Sequence, residues 1–330
     1  MIRRQEIDET AAAIGFAGVV RVDRGGEVEL EAAYGLADRA HDVRNTIDTQ
    51  FAIASGTKGL TALAVVSLVV DGVLELSMPA RSWLGDDLPL IDHAVTIEHL
   101  LAHRSGMGDY IDEDDDLDPL AYLMPVPVHE LATTDDYLRV LDGHPAKFAP
   151  GERFSYCNSG YVVLALIAER AAGRPFHELV RQRVCEPARM RDTAFLRSDE
   201  LPGRAAVGYL DGDGPRTNVF HLPVRGSGDG GAYTTVADVS SLWGAFIDGR
   251  IVPAEWVAEM VRPRSATANG RRRYGLGLWL AAEGDAVMLE GSDAGVTFRS
   301  VHDPARELTH TMISNATDAW QIARLLAANA

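Results

Sequence analysis

The stretch that most constrains this chain is residues 49–70, TQFAIASGTKGLTALAVVSLVV, in which Lys58 is the only ionisable side chain. From residue 55 onward its apolar residues, Leu60, Leu63, Val65, Val66, Leu68, Val69 and Val70, surround the whole helical circumference. A helix apolar on every side is buried on every side, so the rest of the fold must enclose this segment together with an amine near its start. Lys58 and several hydroxyls interrupt the run too soon for it to read as a membrane span.

Burying an unpaired ammonium is costly. Lys58 therefore has hydrogen-bond partners or a depressed pKa, and both states suit it to exchange a proton with a neighbour. Ser55 stands three residues earlier, on the same helical face, where a helix N-terminus favours a developing alkoxide. A serine activated by a desolvated lysine is an established nucleophile arrangement. The bland alternative is that Ser55 caps the helix and Lys58 is a solvated first-turn residue. The scarcity of lysine weighs against it: of 31 basic residues, 29 are arginine and lysine occurs only at positions 58 and 147. A compact amine with a movable pKa is chemically distinct from a guanidinium.

Ser155-Tyr156-Cys157-Asn158, just before an apolar helix starting near Gly160, is the second feature. A tyrosine at a helix entrance is commonly a packing residue. Beside a Ser-Lys pair its role changes, because a phenol and a lysine have similar ordinary pKa values, near ~10, and can pass one proton between them and the serine. Asn158 offers an amide to a substrate carbonyl or to Lys58.

Elsewhere, residues 5–14 predict a helix and residues 16–22 and 28–34 a β-hairpin. Helical runs at 97–102, 134–141, 160–172 and 176–184 alternate with Pro- and Gly-rich connections. Thr235 and Asp238 form a candidate capping box for a helix through Ile247. Residues 274–280, 286–289, 296–301 and 309–314 then read as strands and 319–328 as a closing helix. Strands at both ends around a helical block predict an α+β fold, an antiparallel sheet flanked by N- and C-terminal helices and carrying a mostly α-helical inserted domain. The expected division is a discontinuous sheet domain, 1–76 and 223–330, and a helical domain, 77–222, with the active site between them.

With these segments assembled, the chain resembles the serine β-lactamase-like and penicillin-binding-protein-like hydrolases, which include class C β-lactamases, D-alanyl-D-alanine carboxypeptidases, D-aminopeptidases and family VIII carboxylesterases. The likeness runs from Gly35-Leu36-Ala37-Asp38 through residues 51–58, 95–106 (VTIEHLLAHRSG) and 154–161 (FSYCNSGY) to Pro187-Ala188-Arg189-Met190. The family's Ser-x-x-Lys and Tyr-x-Asn motifs fall on Ser55, Lys58, Tyr156 and Asn158. Its third motif, commonly Lys-Thr-Gly or His-x-Gly, is best matched by Ser292-Asp293-Ala294-Gly295, with no cation in the first position and an added anion at Asp293. Substrates presenting a carboxylate there, such as penicillins and D-Ala-D-Ala peptides, would lose a charge-assisted hydrogen bond of about 1.5–3 kcal/mol, whereas neutral esters lose less. Arg299 is a candidate replacement cation. The resemblance implies an oxyanion hole made by the backbone N–H groups of Ser55 and Gly295.

Other signals carry less. Gly226, Gly228 and Gly231 spell a dinucleotide-binding fingerprint without a preceding strand. His99 and His103 have zinc-helix spacing, but Leu100 stands where the catalytic Glu would be and a third ligand is missing, so no metal is expected. No Gly-x-Ser-x-Gly elbow occurs. Asp112, Glu113, Asp114, Asp115, Asp116 and Asp118 crowd one loop, either solvated or overhanging the cleft to favour amine-bearing substrates. Cys157 and Cys185 read as packing residues. The net charge of −17 excludes a duplex-nucleic-acid binder, and acidic residues within the first ten positions are wrong for an export signal, which predicts a cytoplasmic protein. The expectation is a serine hydrolase of small esters or amides acting through an acyl-enzyme, foremost a carboxylesterase, without cofactor or membrane partner. Rival readings are a D-amino-acid peptidase or amidase, a β-lactamase, and a catalytically silent binding protein of the same fold. Oligomeric state is not legible.

Overall fold

A computed structural model describes residues 4–113, 118 and 120–329. The buried helix predicted from residue 55 is α2 (Thr57–Val70), in which every residue from Thr57 to Leu68 is buried. It is preceded by a 3₁₀ turn, Ala54–Gly56, which holds Ser55. Five further helices matter for the site: α1 (Arg4–Ile14), α3 (Ile97–Leu101), α4 (Asn158–Ala172), α5 (Val236–Ile247) and α6 (Trp320–Asn329).

Among the described residues, eight strands form one antiparallel sheet: β1 (Gly18–Arg24), β2 (Glu27–Tyr34), β3 (Ser265–Ala266), β4 (Arg272–Tyr274), β5 (Trp279–Ala281), β6 (Val287–Asp293), β7 (Val296–Asp303) and β8 (Leu308–Ser314). Their spatial order is β2-β1-β8-β7-β6-β5-β4-β3. The N-terminal hairpin joins the C-terminal strands through β1 and β8, which pair from Gly18 with Ser314 to Arg24 with Leu308. The expected sheet assembled from the two termini is thus present.

Strand alternation sends successive side chains to opposite faces, and here it separates two cores. Val20, Val22 and Met312 join Ile7 of α1 and Ile322, Ala323 and Leu326 of α6 in one cluster. Val19, Phe298 and Ile313 point the other way, into a larger cluster shared with α2, α4 and the helical segments around them. The polar start of α2 is therefore trapped between the sheet and the helical block.

Two local expectations differ from what forms. Residues 274–280 do not make one strand, because a turn through Gly277, at φ +81°, folds β4 back on β5 with Tyr274 opposite Trp279. The capping box at α5 is half made. Thr235 accepts the Asp238 N–H at 3.1 Å, but the Asp238 carboxylate turns to the Asp192 N–H and the Thr193 hydroxyl. A reciprocal box forms instead at α3, between Thr96 and His99, so His99 has a capping role.

Ile322 is fully buried between α6 and the sheet. Ile322→Ala should lower the unfolding free energy by about 2–5 kcal/mol, read from urea titration. A loss below about 1 kcal/mol would mean that α6 is not docked as described.

Candidate active site

Ser55 is placed by backbone strain and by a tight seat. Ala54 before it has φ +42°, a left-handed conformation unusual for a residue with a Cβ. The turn is tied by Gly56 N–H to Ile53 O and Thr57 Oγ1 to Ala54 O, both 2.8 Å. Strand β6 closes on it at Gly291, where an added Cβ would stand 2.1 Å from Ile53 O and 2.8 Å from Ser55 N. Only glycine permits that approach.

Lys58 is 2% exposed, which removes the solvated first-turn reading, and Gly56 rather than Ser55 is the N-cap of α2. Its Nζ lies 2.9 Å from Ser55 Oγ, 2.7 Å from Asn158 Oδ1 and 2.8 Å from the Asp229 carbonyl oxygen. Burial lowers its pKa below the ordinary lysine value of 10.5, and the Asp229, Glu113 and Asp109 carboxylates oppose that shift. The partners differ chemically. The amide oxygen and the carbonyl can only accept, and the Asn158 amide is oriented by donation from Nδ2 to Ile111 O at 2.9 Å. Of the three, Ser55 alone has a proton to give a neutral amine.

Burial first, and then the Glu113 charge, push the phenol pKa of Tyr156 well above 10, with the Ser55 side chain opposing the shift. At neutral pH it is therefore a phenol. Its ring stacks on His103 at 4.2 Å and on Trp279 at 5.8 Å, with Lys58 Nζ 4.8 Å from its centroid.

Asn158 opens α4, whose own N-cap, Cys157, supplies no side-chain cap. Asp109 does so from a distant loop, accepting the Asn158 N–H at 2.6 Å and the Ser159 N–H at 2.8 Å. Its burial raises its pKa to about 6. Asp229 accepts the Tyr110 hydroxyl at 2.5 Å. The glycines around it let its loop lie flat on α4: a Cβ at Gly228 would meet Tyr161 O at 2.1 Å. The glycine run thus delivers a carbonyl to Lys58 rather than cradling a nucleotide.

A cavity of about 430 Å³ opens over Ser55, walled by Tyr110, Tyr156 and Asn158 on one side and Trp279, Ser292 and Asp293 on the other. Strand β5 pairs with β6 only at Val287 and Met288, leaving the β6 edge beyond them open. Asp293 and Val296 close the β6–β7 hairpin, and alternate residues direct their backbone groups to alternate edges. Ser292 N–H accordingly faces the open edge, next to Gly291 and Ser55 N.

Gly295 needs correction as the second oxyanion donor. It lies in the hairpin turn at φ +71°, packed against Gly208 and Tyr209, and gives its N–H to Thr317 Oγ1 at 2.8 Å. Side-chain matching misplaced the third motif because the feature that positions this strand is a close backbone approach at Gly291. Arg299 is also displaced: it lies opposite Glu290 in the β6–β7 ladder, whereas Arg272 reaches the cavity wall and is ion-paired with Glu290. Burial raises the Asp293 carboxyl to about 7. In the acidic loop, Asp112 pairs with Lys147 at 2.8 Å and Glu113 lines the cavity; Asp114, Asp115 and Asp116 lie outside the described residues. Cys157 and Cys185 are buried free thiols. Among the described residues no group of three or more His, Cys, Asp or Glu side chains is arranged to hold a metal ion, and no helix is long and apolar enough to cross a membrane.

Residues 4–329 match the family model described as Beta-lactamase. The chain belongs to that family. Its relatives include esterase EstB from Burkholderia gladioli, 38% identical over 59% of this chain and 50% of the relative, and a D-aminopeptidase from Brucella anthropi, 31% identical over 71% of this chain and 43% of the relative. The chain thus spans half or less of the length of these two family members. A penicillin binding protein from Bacillus halodurans superposes with a TM-score of 0.91 at 32% identity, covering 98% of both chains.

Gly291→Ala should push β6 away from Ser55 and remove backbone donors from the reacting centre. Loss of one such donor typically costs about 10²–10³-fold in kcat, measured on a p-nitrophenyl ester with the far-UV dichroism unchanged. Wild-type turnover would show that the close approach at Gly291 is dispensable.

Proposed function

We propose that the protein is a serine hydrolase that cleaves small esters or amides through an acyl-enzyme, with neutral esters as its foremost substrates. The observation that carries this reading is the contact between Ser55 Oγ and a buried lysine amine whose other two partners cannot donate. In the first step Ser55 Oγ bonds to the substrate carbonyl carbon and its proton passes to Lys58. The phenol of Tyr156 gives its proton to the leaving group and regains one from Lys58. The N–H groups of Ser55 and Ser292 hold the oxyanion, and Asn158 keeps Lys58 oriented. Water, deprotonated by the same pair, then adds to the acyl carbon, the bond from that carbon to Ser55 Oγ breaks to release the acid, and the proton taken from water returns to Ser55 Oγ. The sheet part, 1–76 and 223–330, forms one wall of the cleft and the helical part, 77–222, the other.

The ester preference follows from charge. Arg272, the cation on the cavity wall, is engaged by Glu290, and Asp293 lines the same cavity, so among the described residues a substrate carboxylate has no free guanidinium or amine on that wall to meet. This argues against penicillins and D-Ala-D-Ala peptides, and the esterase named among the relatives accords with it. A silent binding protein is the outcome to exclude. A fluorophosphonate probe should add mass to the wild type and not to Ser55→Ala, and the wild type should turn over a short p-nitrophenyl ester. An unlabelled wild type, or nitrocefin as the best substrate, would overturn the reading.

A second reading, amine-bearing substrates, is favoured by Glu113, Asp229 and Asp293 around the same cavity. Asp293 is neutral below about pH 7 and a carboxylate above it, so attraction for a cation grows as pH rises through that value. For a quaternary-ammonium choline ester, KM should fall several-fold between about pH 6 and pH 8, while KM for its uncharged neohexyl isostere stays level. Parallel profiles for the two esters would remove Asp293 from substrate selection.

A further inference from the structure

His103 is a buried titratable residue that the reaction above does not use. It is 1% exposed, sits in a left-handed backbone conformation at φ +54°, and follows α3 in the His-Arg-Ser-Gly segment. Its Nδ1 accepts the Cys157 N–H at 3.0 Å, which puts the hydrogen of a neutral imidazole on Nε2. That Nε2 has no hydrogen-bond partner among the described residues. The ring is instead enclosed by aromatic groups, with Tyr161 at 4.9 Å, Tyr274 at 4.7 Å and Phe154 at 5.8 Å between centroids. A buried donor left without a partner has a cost, and it is retained here on a residue that contacts Tyr156 and both of its chain neighbours. The His103 carbonyl accepts the Ser155 N–H at 3.0 Å, the ring nitrogen accepts the Cys157 N–H, and the ring face lies against the Tyr156 ring at 4.2 Å and 30°.

We propose that His103 is the positioning residue of Tyr156: its carbonyl and Nδ1 clamp the backbone on both sides of the tyrosine while its ring sets the phenol plane, fixing where the phenol oxygen stands against Ser55 Oγ. The inference rests on the reading of Tyr156 as the proton relay. Burial and the nearby Lys58 charge hold the imidazole well below its usual pKa, so the clamp stays uncharged across the working range and adds no second base to the site. A phenol displaced by a fraction of an ångström still binds substrate but transfers its proton poorly, so the effect belongs in kcat.

Two substitutions separate the two parts of the clamp. His103→Phe keeps a ring on the tyrosine but cannot accept the Cys157 N–H; His103→Asn can accept it and suits the left-handed backbone, but cannot stack. With a p-nitrophenyl ester, each should lower kcat about tenfold or more with KM within about threefold of wild type. In the Tyr156→Phe background the same substitutions should lower kcat less than about twofold, because the group they position is gone. Thermal unfolding of each variant checks folding, and the asparagine variant keeps the test open should phenylalanine not fold. Equal losses in both backgrounds, or losses confined to KM, would overturn the positioning role. A Tyr156→Phe enzyme with wild-type kcat would overturn the relay itself, a result distinct from failure of the clamp.

Discussion

One buried amine ties this structure together. The Lys58 Nζ joins Ser55 at the start of α2, Asn158 at the start of α4, 100 residues away, and the Asp229 carbonyl, 171 residues away. A lysine enclosed by an apolar helix and the surrounding core is tolerable only if all its hydrogen-bonding positions are met. That requirement fixes the relative placement of the two most buried helices and the glycine loop. The same requirement underlies the proposed chemistry, because two of the three partners cannot donate and only Ser55 has a proton to offer a neutral amine.

The supporting residues mostly position others. Asp109 caps α4 from a distant loop and so aims Asn158; Tyr110 holds the Asp229 carboxylate beside the carbonyl that meets Lys58. Gly291 brings the β6 backbone to Ser55. Charge around the cavity is one-sided: Glu113, Asp229 and Asp293 face it, and Arg272 is occupied by Glu290. Charge of one sign on the wall is the feature on which the proposed preference for uncharged or amine-bearing substrates rests.

Much of this was legible in the sequence wherever the signal is local. The spacing of Ser55 and Lys58, the apolar circumference of residues 55–70 and the hairpin at the N-terminus each follow from short-range geometry, and the terminal strands did combine into one sheet. Tyr156 and Asn158 stand against the Ser-Lys pair as their motif suggests. What was not legible depends on backbone atoms or on distant partners. A backbone N–H leaves no residue signature, so matching by side-chain type drifted to Gly295, whose N–H is already given to Thr317. Asp109 and Asp229 are ordinary loop acids until tertiary packing brings them to α4 and Lys58. Residues 274–280 alternate like a strand, and only the turn at Gly277 divides them. Asp238 was read as a capping partner, yet a tertiary contact with Thr193 outcompetes the local box.

The central claim is that Lys58 is held out of water with a depressed pKa. Because the chain has only two lysines, protein carrying lysine labelled with carbon-13 at Cε should give two resonances, assignable with Lys58→Arg and Lys147→Arg. The account predicts that the Lys58 resonance changes protonation below the ordinary lysine value of 10.5, apart from that of Lys147. Two resonances titrating together near that ordinary value would contradict it.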